Sequence, residues 1–122
     1  MNVAIGESQN VLASGLLEAF KGRRGVTNVL RVFDADALFS ATTDLRKGLV
    51  LIAQTFDKKG WVPVAQTIFK LAPEFACVIM GDIYSRQDIE AAFACRIFAL
   101  LPRVPGGVAP AKPDTLRLLT SG

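Results

Sequence analysis

Few residues in this 122-residue chain have side chains suited to chemistry. It contains no histidine, the commonest general base and metal ligand. It has no Cys-x5-Arg phosphate loop, no Gly-x-Ser-x-Gly elbow, and no Gly-x-Gly-x-x-Gly or Walker-type loop. Hydrolase, phosphatase and nucleotide-binding readings therefore lack their signatures. Three carboxylates, Glu7, Asp57 and Asp82, each follow an apolar run. Brought together they would form an acidic cluster, since a hard divalent cation wants several oxygen ligands. The plainer reading makes Asp57 and Asp82 solvated turn residues. Cys77 and Cys95 lie inside apolar runs without a second Cys or a His at metal-ligand spacing. They read as small buried hydrophobes in a reducing compartment. Neither a metal nor a cofactor is expected.

Those residues sit between short apolar blocks. Asn2–Ile5 is a strand closed by Gly6, and Val11, Leu12, Gly15, Leu16, Ala19 and Phe20 then recur at helical spacing. Val26–Val32 reads as a second strand. It is followed by a helix from about Asp36 to Arg46 with Asp34 as its N-cap. Leu49–Ala53 and Ala76–Met80 are unbroken apolar runs too short for helices, the pattern of strands buried on both faces. Between them the spacing predicts a helix over Val62–Leu71 stopped by Pro73. Ser85 with Asp88 is a capping-box signature opening a helix through about Cys95. Phe98–Leu101 is the last strand, residues 103–113 form a Pro/Gly-rich loop, and Pro113-Asp114 opens a short final helix.

Strand and helix alternate five times, which predicts one doubly wound α/β domain over residues 1–122 with a parallel sheet and helices on both faces. With 51% hydrophobic and 20% charged residues, the chain can bury a continuous core. Its apolar runs fall far short of the roughly 20 residues of a membrane span. Met1–Ile5 has no positive flank of a signal peptide, so a cytoplasmic location is expected. The net charge of +3 comes from scattered residues and pairs such as Arg23-Arg24 and Lys58-Lys59 rather than a stripe. Direct nucleic-acid binding by this segment is not expected.

The strings Asn2-Val3-Ala4-Ile5-Gly6-Glu7-Ser8 through Gly15-Leu16, Lys47-Gly48-Leu49-Val50-Leu51-Ile52-Ala53 and Phe98-Ala99-Leu100-Leu101-Pro102 are, in order and spacing, similar to the CheY-like receiver family. The resemblance is to receivers that precede LuxR-type helix-turn-helix domains in transcriptional regulators, and it spans nearly the whole chain. It implies a flavodoxin-like (β/α)5 sheet with strand order 2-1-3-4-5. Receivers accept a phosphoryl group on an Asp ending the third strand. An acidic pair after the first strand holds Mg²⁺, and a Thr or Ser and a Lys after strands four and five bind the phosphoryl oxygens. Carried onto this sequence, the acidic pair is Glu7 and Ser8, the acceptor Ala53, the hydroxyl position Gly81 and the Lys position Leu101. Without a one-residue gap in the preceding helix, Pro102 takes that last position instead. Only Glu7 keeps its chemistry, so the resemblance is to a receiver that has lost its phosphorylation site.

The same resemblance makes Phe98 the aromatic switch position, with a plain buried aromatic as the alternative, and makes Leu101–Pro102 a candidate cis peptide. The expected function is a non-enzymatic regulatory domain of a two-component-type response regulator. It would act by contact with a protein partner or as a homodimer, through the helix at 10–20, the helix at 86–95 or the segment 98–120. The output DNA-binding domain would lie C-terminal to this chain. The alternative is a small-ligand sensor with a less polar pocket at the strand ends, floored by Ala53, Gly81 and Leu101.

Overall fold

The computed structural model describes residues 1–102. Nine elements follow one another: β1 (Asn2–Gly6), α1 (Asn10–Phe20), β2 (Asn28–Val32), α2 (Ala35–Leu45), β3 (Lys47–Ala53), α3 (Trp61–Leu71), β4 (Glu74–Gly81), α4 (Arg86–Ala94) and β5 (Ala99–Pro102). The five strands pair in parallel in the order β2-β1-β3-β4-β5. This is the doubly wound sheet that the alternation and the resemblance implied. The loop at 103–113 and the final helix expected after Pro113 lie outside the described residues.

The apolar runs split by pleat. Val3, Ile5, Leu49, Leu51, Val78 and Met80 form one cluster with Leu16 and Phe20 of α1. Ala4, Val50, Ile52, Cys77 and Ile79 form the other, with Leu38 of α2, four α3 residues and Ala92 of α4. β3 and β4 are central, and neither face of them meets water, so their sequences show no polar alternation. Helix α3 buries Trp61, Val64, Ala65 and Ile68, a spacing that keeps one face on the sheet. Its Pro63 falls in the first turn, where no intrahelical N–H is needed. By contrast α4 buries Ala92 alone among its nine residues. No helix among the described residues is long and apolar enough to cross a membrane.

The expected caps form. Asp34 accepts from the Ala37 amide at 2.8 Å. Ser85 and Asp88 make a reciprocal capping box, with bonds of 3.0 and 2.9 Å. Several boundaries differ from the sequence reading. Val26 and Thr27 lie outside β2, because the Val26 amide closes a turn onto Arg23 and the Thr27 amide bonds Met1. β3 and β4 each begin two residues earlier than their apolar runs, as backbone pairing continues through Lys47–Glu74 and Gly48–Phe75. β5 starts at Ala99, so Phe98 is not a strand residue. The Leu101–Pro102 bond is trans, which costs an X-Pro bond less than cis.

Candidate functional site

The C-terminal ends of β1, β3, β4 and β5 form one edge of the sheet, the place where open α/β sheets put their sites. Gly6 pairs with Ile52, so Glu7 leaves the sheet one residue beyond that pair. Ala53, Met80 and Leu101 form one row across β3, β4 and β5, and Gly81 with Pro102 forms the next. Glu7, Ala53, Gly81 and Leu101 therefore all stand at this edge, with Met80 between Ala53 and Leu101.

What fills the edge is the finding that the sequence reading lacked. The chain folds back after β3: the Phe56 amide bonds the Ala53 carbonyl at 2.9 Å, which brings the ring onto Gly6. A Cβ at Gly6 would come within 3.1 Å of that ring. The Phe56 side chain is itself buried in the α2–α4 core. Gln54 lies over Gly81, so closely that any side chain at 81 would collide with its amide group. It is pinned there because its backbone N–H donates to Met80 at 2.7 Å and Nε2 donates to the Ile83 carbonyl at 2.9 Å. Ala53 beneath them is fully buried. An apolar ring over Gly6 and a neutral amide over Gly81 thus flank the end of β3, where Ala53 offers no nucleophile.

Glu7 is buried, and Oε1 accepts from the Gln9 amide at 3.0 Å, tying the carboxylate to the turn before α1. Among the described residues no buried side-chain oxygen or nitrogen lacks a partner. Asp57 bends instead onto the Lys59 amide at 3.0 Å, and Asp82 is exposed. The three carboxylates do not converge: among the described residues no three His, Cys, Asp or Glu side chains stand together as metal ligands. The residues at this edge do not fit the Mg²⁺ ion that the receiver resemblance implies, because a lone carboxylate bonded to its own loop leaves the ion without oxygen ligands. Ser8 is exposed, and its carbonyl rather than its hydroxyl is engaged, accepting from Arg31 at 3.3 Å.

Three further residues hold the edge. Arg31, a cation within the apolar run of β2, donates from Nε and Nη2 to the Glu7 carbonyl at 3.2 and 3.0 Å and from Nη1 to Asn10 Oδ1 at 2.8 Å. Its guanidinium also stacks on Phe33, 4.3 Å from the ring centre. It fastens the β1–α1 loop to β2. Tyr84 reaches from the β4–α4 loop. Its hydroxyl donates to the Leu101 carbonyl at 2.6 Å and lies 3.1 Å from that of Ile79. Trp61 Nε1 donates to Asp88 Oδ1 at 3.3 Å, joining the start of α3 to the capping box of α4. An Arg interrupting an otherwise apolar strand was the one signal in the sequence for any of these contacts.

Phe98 corrects the plainer of the two readings given to it. It is 58% exposed and lies just before β5, so it is not a buried core aromatic. Where a small-ligand sensor would have its pocket, Gln54 lies over Gly81 and Phe56 over Gly6. Two hollows lie at the opposite end of the strands. One is bounded by Phe20, Lys21, Gly22 and Val26, the other by Phe69, Pro73, Phe75 and Cys77.

No protein-family model matches the sequence, and no curated protein matches it either. Solved structures do match. The receiver domain of a modulated diguanylate cyclase from Desulfovibrio desulfuricans G20 has a TM-score of 0.77 at 17% identity, over 98% of this chain and 90% of that one. A LuxR-family two-component response regulator from Aurantimonas sp. SI85-9A1 has a TM-score of 0.80 at 13% identity, over 99% and 85%. The response regulator domain of Thermotoga maritima CheB has a TM-score of 0.80 at 10% identity, over 100% and 97%. At such identities the likeness establishes the fold, which is that of response-regulator receiver domains.

Proposed function

We propose that this chain is a receiver-like regulatory domain that accepts no phosphoryl group and works through protein–protein contact, either in a homodimer or against another protein. The observation that carries the reading is the closed strand edge: Ala53 offers no nucleophile, and Gln54 and Phe56 occupy the volume above Gly81 and Gly6. A domain that keeps the fold while filling the crevice has no use for phosphoryl chemistry and retains only its surfaces.

Those surfaces support the contact role. Ile89 and Phe93, four residues apart on α4, are 45% and 83% exposed, and Phe98, 58% exposed, lies just before the edge strand β5. Apolar groups exposed on a helix face and beside an edge strand favour association. By its likeness to LuxR-family regulators, the domain would serve as the input half of a transcription factor with a DNA-binding domain C-terminal to it, in the cytoplasm.

Incubation with acetyl phosphate and Mg²⁺ followed by intact-mass analysis tests the reading. An unchanged mass is expected, and stoichiometric addition of one phosphoryl group would overturn it.

A further inference from the structure

Cys77 and Cys95 lie on different elements but border one hollow. Cys77 is on β4, Cys95 caps the C-terminus of α4, and both belong to the core cluster between the sheet and α2–α4. The hollow they line has a volume of about 80 Å³, room for a few waters, and is part-open to solvent beside Phe69 and Arg96. The Arg96 guanidinium lies 5.5 Å from the Phe69 ring centre at this opening. Burial pushes the Cys77 thiol up to about 12, and Cys95 adds to the rise, so the two sulfurs lie near enough for a charge on one to be felt by the other. Burial raises the Cys95 thiol as well.

The neighbouring structure gives a bond between them something to act on. α4 buries only Ala92 from its own residues, and its C-terminal end is held by that contact, by Cys95, by the partly buried Ala91 and Ile97 and by Arg96 on Phe69. A covalent link from Cys95 to β4 would fasten a helix that buries little of its own surface.

We propose that Cys77 and Cys95 are a redox-sensitive pair that closes to an intramolecular disulfide on reaction with a peroxide. The Cys95 thiolate, on the helix end, attacks a peroxide oxygen and breaks the O–O bond. It becomes a sulfenic acid while the departing hydroxide takes up a proton as water. The Cys77 thiolate then attacks the Cys95 sulfur and displaces a second hydroxide, which leaves as water. Two thiols are oxidised to one disulfide, and one hydrogen peroxide is reduced to two waters. Because the thiolate is the nucleophile, closure is slow at neutral pH and speeds up as pH rises. Excess monothiol reverses it by exchange.

The test is direct because trypsin separates the two residues into peptides 71–86 and 87–96. After treatment of the 122-residue chain with hydrogen peroxide, the intact mass should fall by two hydrogens. A linked 71–86/87–96 peptide should appear, and dithiothreitol should abolish it. The oxidised chain should also melt at a higher temperature than the reduced one. In Cys77→Ser the second step has no nucleophile, so a Cys95 sulfenic acid trappable by dimedone should accumulate. The proposal is overturned if the wild-type chain shows only oxygen additions on separate peptides, if it forms disulfides only between chains, or if both thiols remain fully alkylatable. The wild-type result decides even if the variant fails to fold.

Discussion

At the scale of single residues, the closed edge makes restoration of the receiver pattern a structural problem. Ala53→Asp would place a carboxylate in a fully buried position beneath Phe56. Burying a charge without partners costs at least about 2–3 kcal/mol, so the variant should unfold at lower denaturant and still gain no phosphoryl group. Gly81→Ala meets Gln54, and overpacking costs about 1–3 kcal/mol. The loss should largely disappear when Gln54→Ala is combined with it, a coupling that a double-mutant cycle by urea denaturation reads directly. Tyr84→Phe removes the donor to the Leu101 carbonyl and should cost about 1 kcal/mol in the same assay. The buried Cys77 thiol sets a pH dependence. Its proton is held more tightly in the folded chain than in the unfolded one, where thiols titrate near 8.5. That contribution is intact below this value and is lost as pH rises toward about 12, with a slope of about 1.4 kcal/mol per pH unit. Reduced Cys77→Ala should show a visibly flatter alkaline decline in stability than the wild type.

At the scale of elements, strands and helices were legible because their signals are local. Leu49–Ala53 and Ala76–Met80 are apolar runs that only a doubly covered strand explains, and Ser85 with Asp88 specified a cap that forms as written. The closure was not legible. Gln54 and Phe56 fall in a loop where hydrophobic period says nothing, and their placement depends on a turn onto Ala53 and on Gly81 and Gly6 having no side chains. Phe98 was misplaced for a related reason. An aromatic beside an apolar run favours a strand, yet exposure is decided by what packs over it. The thin packing of α4 leads to a contrast between two substitutions. Ser85→Ala breaks the capping box and should cost about 1 kcal/mol of stability. Phe93→Asp, on an exposed side chain, should leave stability within about 0.5 kcal/mol of wild type. It should nevertheless weaken self-association about tenfold or more in sedimentation experiments at two concentrations. A strict monomer at high concentration would shift the contact role to a different protein partner.

At the scale of the whole molecule, fold and site separate. The five-stranded parallel sheet in the order 2-1-3-4-5 is that of receiver domains, and Glu7, Ala53, Gly81 and Leu101, to which the resemblance assigns the receiver positions, stand at one sheet edge. Each of these residues has a structural part to play. Glu7 braces the turn before α1, Ala53 is core, Gly81 makes room for Gln54, and the Leu101 backbone anchors Tyr84. The absence of a nucleophile at Ala53 and the packing of Gln54 and Phe56 over Gly81 and Gly6 both support the proposed contact role. The most direct measurement is an amide NMR titration of the chain with Mg²⁺ and beryllofluoride, which together mimic the phosphorylated state of a receiver. Resonances of Glu7, Ala53, Gly81 and Leu101 should stay in place throughout. Saturable shifts at those four positions would contradict the closed edge and with it the account of this domain.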